Sequence, residues 1–179
     1  MGTLLIRVWL PLFILLAMGG CAERPNDQGT PAANPNNLPD LKPLEAPCLP
    51  TDQDKYVWRP ARLRLLQPCV RAVGTVMEIS SAEVDGDVHV HVQLDAPYQA
   101  LLTEGNQHAE GYLIVEAVCQ YVPPAIEALR ICASDWNSYP GPFPRPGDHI
   151  WVEGRYVLDL WHHSWAELHP LYRWGISSP

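Results

Sequence analysis

The sequence predicts a mainly β domain, a small five-stranded Greek-key barrel with one short helix between the third and fourth strands. Three observations predict it. Residues 87–95, DVHVHVQLD, alternate strictly, with Val88, Val90, Val92 and Leu94 on one face and His89, His91, Gln93 and Asp95 on the other. That period of two is the mark of a half-buried strand. Strand-like runs recur along residues 70–174, separated by Gly and Pro turns. One segment, PPAIEALRICA at residues 123–133, breaks the series with helical spacing.

The elements follow in order. Val70 to Ser80 reads as a first strand with apolar residues on both faces, and Gly74 in its middle predicts a bulge or sharp coil. Asp85-Gly86 signals a hairpin into the alternating strand. Pro97 to Glu104 predicts a short helical turn with proline early in it, and Gly111 to Cys119 a third strand. In the helical segment Ile126, Leu129 and Ala133 share a face. A Pro- and Gly-rich loop, Tyr139 to Gly147, leads to a fourth strand, Asp148 to Leu158, where Ile150, Val152, Tyr156 and Leu158 share one side and Gly154 interrupts. Ser164 to Trp174 is the fifth.

Three strands, a helix and two more strands is the order of the OB-fold. The segments PCVRAVGTV, DGDVHVHVQLD, GYLIVEAVC, GDHIWVEGRYVLD and HSWAELHPLYRW, spread over residues 60–174, also resemble a family of bacterial OB-like domains of unknown function. Its members end in a Trp-x-Glu-Ile/Leu-His-Pro strand, matched here by Trp165-Ala166-Glu167-Leu168-His169-Pro170. The resemblance implies a fold and carries no activity.

The N-terminus predicts export. Arg7 is the sole charge among the first twenty residues, and Val8 to Met18 is apolar apart from Pro11. A run of that length is short for a membrane span and right for the apolar stretch of a signal peptide. Met18-Gly19-Gly20-Cys21 resembles the lipobox of bacterial lipoproteins, which implies lipidation at Cys21. Ala22, where Asp would retain the chain at the inner membrane, implies the outer membrane facing the periplasm. The expected organisation is a signal peptide and lipobox cysteine at residues 1–21, a Pro- and Asn-rich tether at 22–47, and the barrel at 48–179. The tether lacks the apolar residues to fold and reads as a spacer.

The four remaining cysteines, Cys48, Cys69, Cys119 and Cys132, allow three pairings. Cys48–Cys69 and Cys119–Cys132 are favoured because each closes a short loop. No Cys-x-x-Cys spacing supports a zinc site made of thiolates.

Charge weighs against nucleic acid. The whole chain stands at −8, and removal of the one positive charge in the leader, Arg7, leaves −9. Affinity for nucleic acid comes largely from Lys and Arg on phosphates. The counter-signal is a basic and aromatic arm of Lys55, Tyr56, Trp58, Arg59, Arg62, Arg64 and Arg71, the composition of a single-strand track. An irregular entry segment packed on the barrel explains it more simply.

Candidate site residues come from strand parity. OB barrels bind with the outer face of strands two and three, which singles out His89, His91, Gln93 and Tyr112, joined by Trp165, Glu167 and His169 on the last strand. His89, His91, Glu167 and His169 would form a metal site if their strands met, because imidazole and carboxylate suit zinc-like ions. Solvated polar residues on an outward face are the plainer account. Trp58, Trp136, Tyr139 and Phe143 sit near loops and read as barrel caps before a ligand patch. Asp85-Gly86-Asp87 is a turn signature first and a calcium hint second. There is no Gly-x-Ser-x-Gly elbow or phosphate-cradling loop. The sequence therefore predicts a non-catalytic envelope module without a required cofactor, held to the membrane by lipid and binding a protein, glycan or small molecule. A nucleic-acid module and a metal-dependent hydrolase are the alternatives.

Overall fold

The computed structural model describes residue 54 and residues 56–80, 83–132 and 143–177. The leader with Cys21, the tether, and Cys48, Lys55, Ala133, Trp136 and Tyr139 lie outside the described residues. Five strands close into a ring in the order β1-β2-β3-β5-β4. They are β1 (Leu63–Ser80), β2 (Val88–Leu94), β3 (Leu113–Ala117), β4 (His149–Asp159) and β5 (Trp165–Ile176), with a short helix α1 (Ile126–Cys132) between β3 and β4. All neighbours are antiparallel except β3 and β5, which run parallel and close the ring.

The alternation in β2 does what its period demands. Val88, Val90, Val92 and Leu94 enter a core shared with Ala72 and Val76 of β1, Val115 of β3, Val152 of β4 and Leu168 of β5. Leu101, at the end of the 3-10 turn Ala96–Leu101, is fully buried in the same core. The carbonyl of Leu101 accepts a hydrogen bond from the Tyr156 hydroxyl at 2.5 Å.

β1 is longer than the sequence suggests, because it serves two neighbours in turn. Leu63 to Thr75 pairs with β4 and Gly74 to Ser80 with β2. The extension crosses Pro68, which lacks an N–H for the ladder. The register with β4 slips on both sides of Gln67, between Leu65 and Gln67 and between Gln67 and Val70. Gly74 stands at the handover, paired with both Leu94 and Ile150. It is not itself a bulge; the nearest shift falls between Val76 and Glu78. Glycine is needed there because a Cβ would lie 2.3 Å from the carbonyl oxygen of Gln93.

Two further expectations change. The connection after β2 holds a second 3-10 turn, Glu104–Ala109, closed by a capping box between Thr103 and Asn106. In α1 the buried residue is Ala128, while Ile126 and Leu129 are exposed. The helix has only seven residues. At that length a disulfide and flanking loops set its roll more than an apolar stripe does. The expected Cys119–Cys132 bridge is present. Cys69 is also disulfide-bonded, but Cys48, its expected partner, lies outside the described residues. No helix among the described residues is long and apolar enough to cross a membrane.

Candidate functional site

The outer face of β2, β3 and β5 carries a cluster of acids and imidazoles. Parity on β2 puts Asp87, His89, His91 and Gln93 on the side away from the core. Register then sets His89 opposite Glu116 of β3, and His91 opposite Ile114. The parallel pairing sets Ile114 beside Glu167 of β5, which brings Glu116 level with His169. Three strands distant in sequence thus deliver Asp87, His89, Glu116, Glu167 and His169 to one place.

The middle of this face is sealed. Glu116, Glu167 and His169 are wholly buried and Asp87 nearly so. Arg62, on the 3-10 turn Pro60–Arg62 before β1, contributes to the cover: its guanidinium pairs with Asp159 and stands 3.8 Å from Glu116. His169 sits at the centre. Its Nδ1 lies 2.6 Å from Glu116 Oε2 and 3.1 Å from Glu167 Oε1. Its Nε2 faces Asp87 Oδ2 at 3.7 Å. His89 Nε2 approaches the other Glu116 oxygen at 3.1 Å. The indole N–H of Trp165 donates to Glu167 Oε2 at 2.6 Å, and the backbone N–H of Cys119 donates to Asp87 Oδ1 at 2.7 Å.

Burial and neighbouring charge divide the protons among these groups. Burial alone would raise Glu116, but the His169 and His89 imidazoles hold its carboxyl well below the usual range. Burial would lower His169, yet Glu116 and Glu167 beside it push the imidazole up to about 10. Burial raises Glu167, and the charge on Glu116 raises it further. Asp87 is likewise raised, by burial first and then by Asp85 and Glu116, against the pull of His169. An ionised Glu116 beside an imidazolium, flanked by two carboxyls that resist ionisation, is a proton-sharing network. Four atoms of the cluster stay without a hydrogen bond: Asp87 Oδ2, His169 Nε2 and both Glu116 oxygens.

The structure thus gathers three of the four sequence-derived metal candidates, His89, Glu167 and His169, and leaves His91 out. His91 packs edge-on to Tyr112 with ring centroids 6.4 Å apart, and burial lowers its imidazole. Gln93 is exposed and Tyr112 half-buried. Glu116 was missed, and Asp87 was singled out only within the Asp85-Gly86-Asp87 turn and its calcium hint. Both had a signal: Asp87 has the parity of His89 and His91, and Glu116 is the lone charge in the apolar run LIVEAV. A single acid on an otherwise apolar strand needs a buried partner.

A second feature surrounds the loop from Leu160 to Ser164, which joins β4 to β5. Leu160 and Trp161 are exposed there. The Arg59 guanidinium lies over both Trp58, 4.3 Å from the ring centroid, and Trp161, 5.3 Å from it. His162 stacks on Trp165 at 4.7 Å, and His163 on His108 at 3.7 Å. Tyr112 and Trp165 each lie two residues before a paired position, so they stand at the same level of β3 and β5. The loop and the His91–Gln93 end of β2 therefore lie toward the same end of the face.

Part of the basic arm is engaged within the chain, while Arg64 is exposed. Arg62 is buried against acids, and Arg71 pairs with the buried Glu153 while lying over the Trp151 ring at 4.6 Å. Phe143, one of the aromatics near loops, packs against the core. Comparison with protein-family models, curated proteins and solved structures finds no match for this chain.

Proposed function

We propose that the chain is an exported, lipid-anchored OB-type module that binds a partner in the cell envelope, a protein, glycan or small molecule, without transforming it. The observation that carries this reading is the ring order β1-β2-β3-β5-β4 with a helix between β3 and β4. OB barrels share that order and bind through the outer face of strands two and three with the loops after strands one and four. Here the middle of that face is filled by buried acids and imidazoles. Ligand contact falls instead to its open end: His91, Gln93, Tyr112, and the β4–β5 loop with Trp161 and the stacked Arg59. Large aromatics and arginine at an exposed site are the usual anchors of recognition. The engagement of Arg62 and Arg71 with carboxylates favours such a partner over nucleic acid.

Two measurements test the proposal. Radiolabelled palmitate should label the full-length protein in cells, and Cys21→Ser should abolish the label. A photo-crosslinking residue placed at position 93 or 161 in intact cells should yield a discrete adduct by mass spectrometry, and one at the exposed Glu127 of α1 should not. A chain that takes no lipid refutes the anchor. Equal adducts from all three positions refute the binding face.

A further inference from the structure

The Nε2 atom of His169 and the Oδ2 atom of Asp87 face each other at 3.7 Å, and neither has a hydrogen-bond partner although both are buried. On the far side of the same ring, Nδ1 lies against Glu167 and Glu116. That is how metal-binding histidines are held: one nitrogen is oriented by a carboxylate and the other is turned toward the ion. Glu116 would supply a third donor by turning from Nδ1 toward the ion. With Asp87 and His169 it forms a group whose candidate ligand atoms all lie within 4.8 Å of one another. Two ligands each about 2.0–2.2 Å from one tetrahedral ion stand roughly 3.3–3.6 Å apart, slightly less than the 3.7 Å between His169 and Asp87.

We infer that Asp87, Glu116 and His169 form a buried site for one divalent cation of the zinc or manganese kind, with Glu167 orienting His169 and His89 standing beside Glu116 as a further donor. A ring nitrogen among carboxylates suits these ions better than calcium or magnesium, which take oxygen ligands. The site joins β2, β3 and β5 at the parallel closure of the ring. Asp87, Glu116 and His169 are sealed from solvent, so the ion would staple the sheet and would not present water to a substrate. This inference is independent of what the open end of the face binds.

The test uses the full chain, purified, treated with a chelator and titrated with Zn²⁺ and with Mn²⁺ by calorimetry, with stoichiometry read by native mass spectrometry. One equivalent of at least one of the two ions is expected, together with a rise in Tm. Asp87→Asn and Glu116→Gln should each weaken binding by about 100-fold or more, with folding checked by circular dichroism. Two variants serve because either one alone could fail to fold. His91→Ala and His163→Ala should bind as the parent does. Cobalt substituted for the ion should give visible absorption bands that shift in His169→Gln. A folded parent chain that takes up neither ion overturns the inference and leaves a metal-free network of shared protons. Binding that survives Asp87→Asn and is lost in His163→Ala also overturns it, because the ion would then sit on the exposed His108–His163 pair.

Discussion

Asn106 offers the sharpest test of how the ring is closed. Its side chain is wholly buried and bridges three segments. The amide nitrogen donates to the carbonyls of Tyr112 at 2.8 Å and Ala166 at 2.9 Å. The amide oxygen accepts from the backbone N–H groups of Thr103 and Ala166, each at 2.9 Å. Tyr112 leads into β3 and Ala166 opens β5, so this one residue clamps the parallel pair that sets Glu116 beside His169. Asn106→Ala removes five hydrogen bonds, one of them from the Thr103 hydroxyl at 3.1 Å, and leaves two carbonyls, two N–H groups and that hydroxyl to find other partners. A net hydrogen bond contributes about 1 kcal/mol, and a buried group left unmatched costs about 1–3 kcal/mol. With water entering the vacated space to satisfy part of the deficit, the expected loss is about 3–5 kcal/mol. For a domain of this size that is a fall in Tm of roughly 12–20 °C. Denaturant unfolding followed by circular dichroism measures it. Asn106→Asp separates the causes. It keeps the volume and the acceptor but turns an oxygen toward two carbonyls, so it should be at least as damaging at neutral pH. A loss under 1 kcal/mol in Asn106→Ala, or an Asp variant near the parent, would refute the hydrogen-bond account of the closure.

Three other outcomes are expected. Replacing both Cys119 and Cys132 by Ala opens a loop with a sequence separation of 13 and should cost about 3 kcal/mol, measured by the same unfolding assay. Gly74→Ala should cost about 3 kcal/mol or more, because the new methyl would press on the Gln93 carbonyl at the strand handover. The third concerns pH. Burial lowers the His91 imidazole below its ordinary 6.5, despite the opposing pull of Glu78. As pH falls below that ordinary value the unfolded chain takes up the proton first, so stability present above it is lost on the way down through the lowered pKa. The parent should therefore lose more stability between pH 8 and pH 5 than His91→Gln, and equal slopes would contradict the assignment.

The legible parts of this protein were those set by local chemistry. Residues 87–95 declared both their strand and its inner face because side-chain direction alternates without regard to the rest of the fold. Cys119 and Cys132 declared their bridge through proximity in sequence. Pro97, at the start of its segment, marked the turn that begins at Ala96. The order of elements, with a helix between the third and fourth strands, followed from these local signals. What failed was also local in origin. Which face of α1 is buried was not legible, because seven residues carry too little periodicity to fix a roll. The front of β1 is not legible locally: residues 63–69 carry Pro68, which lacks an N–H for a ladder, and only pairing with the end of β4 makes them a strand.

The candidate site divides along the same line. Sequence alone determined that His89 shares a side with His91, and Glu167 with His169, since parity within one strand needs no partner. It could not determine that His89 would reach Glu116 while His91 would turn to Tyr112. Nor could it show that residues drawn as a solvated outer face would be sealed with Arg62 over them. Those outcomes depend on register between strands far apart in sequence, and one step of slip would exchange every inward and outward side chain. The tertiary structure decided them by closing β3 on β5, where packing of Val115 and Leu168 in the core leaves Glu116 and His169 a single place to meet.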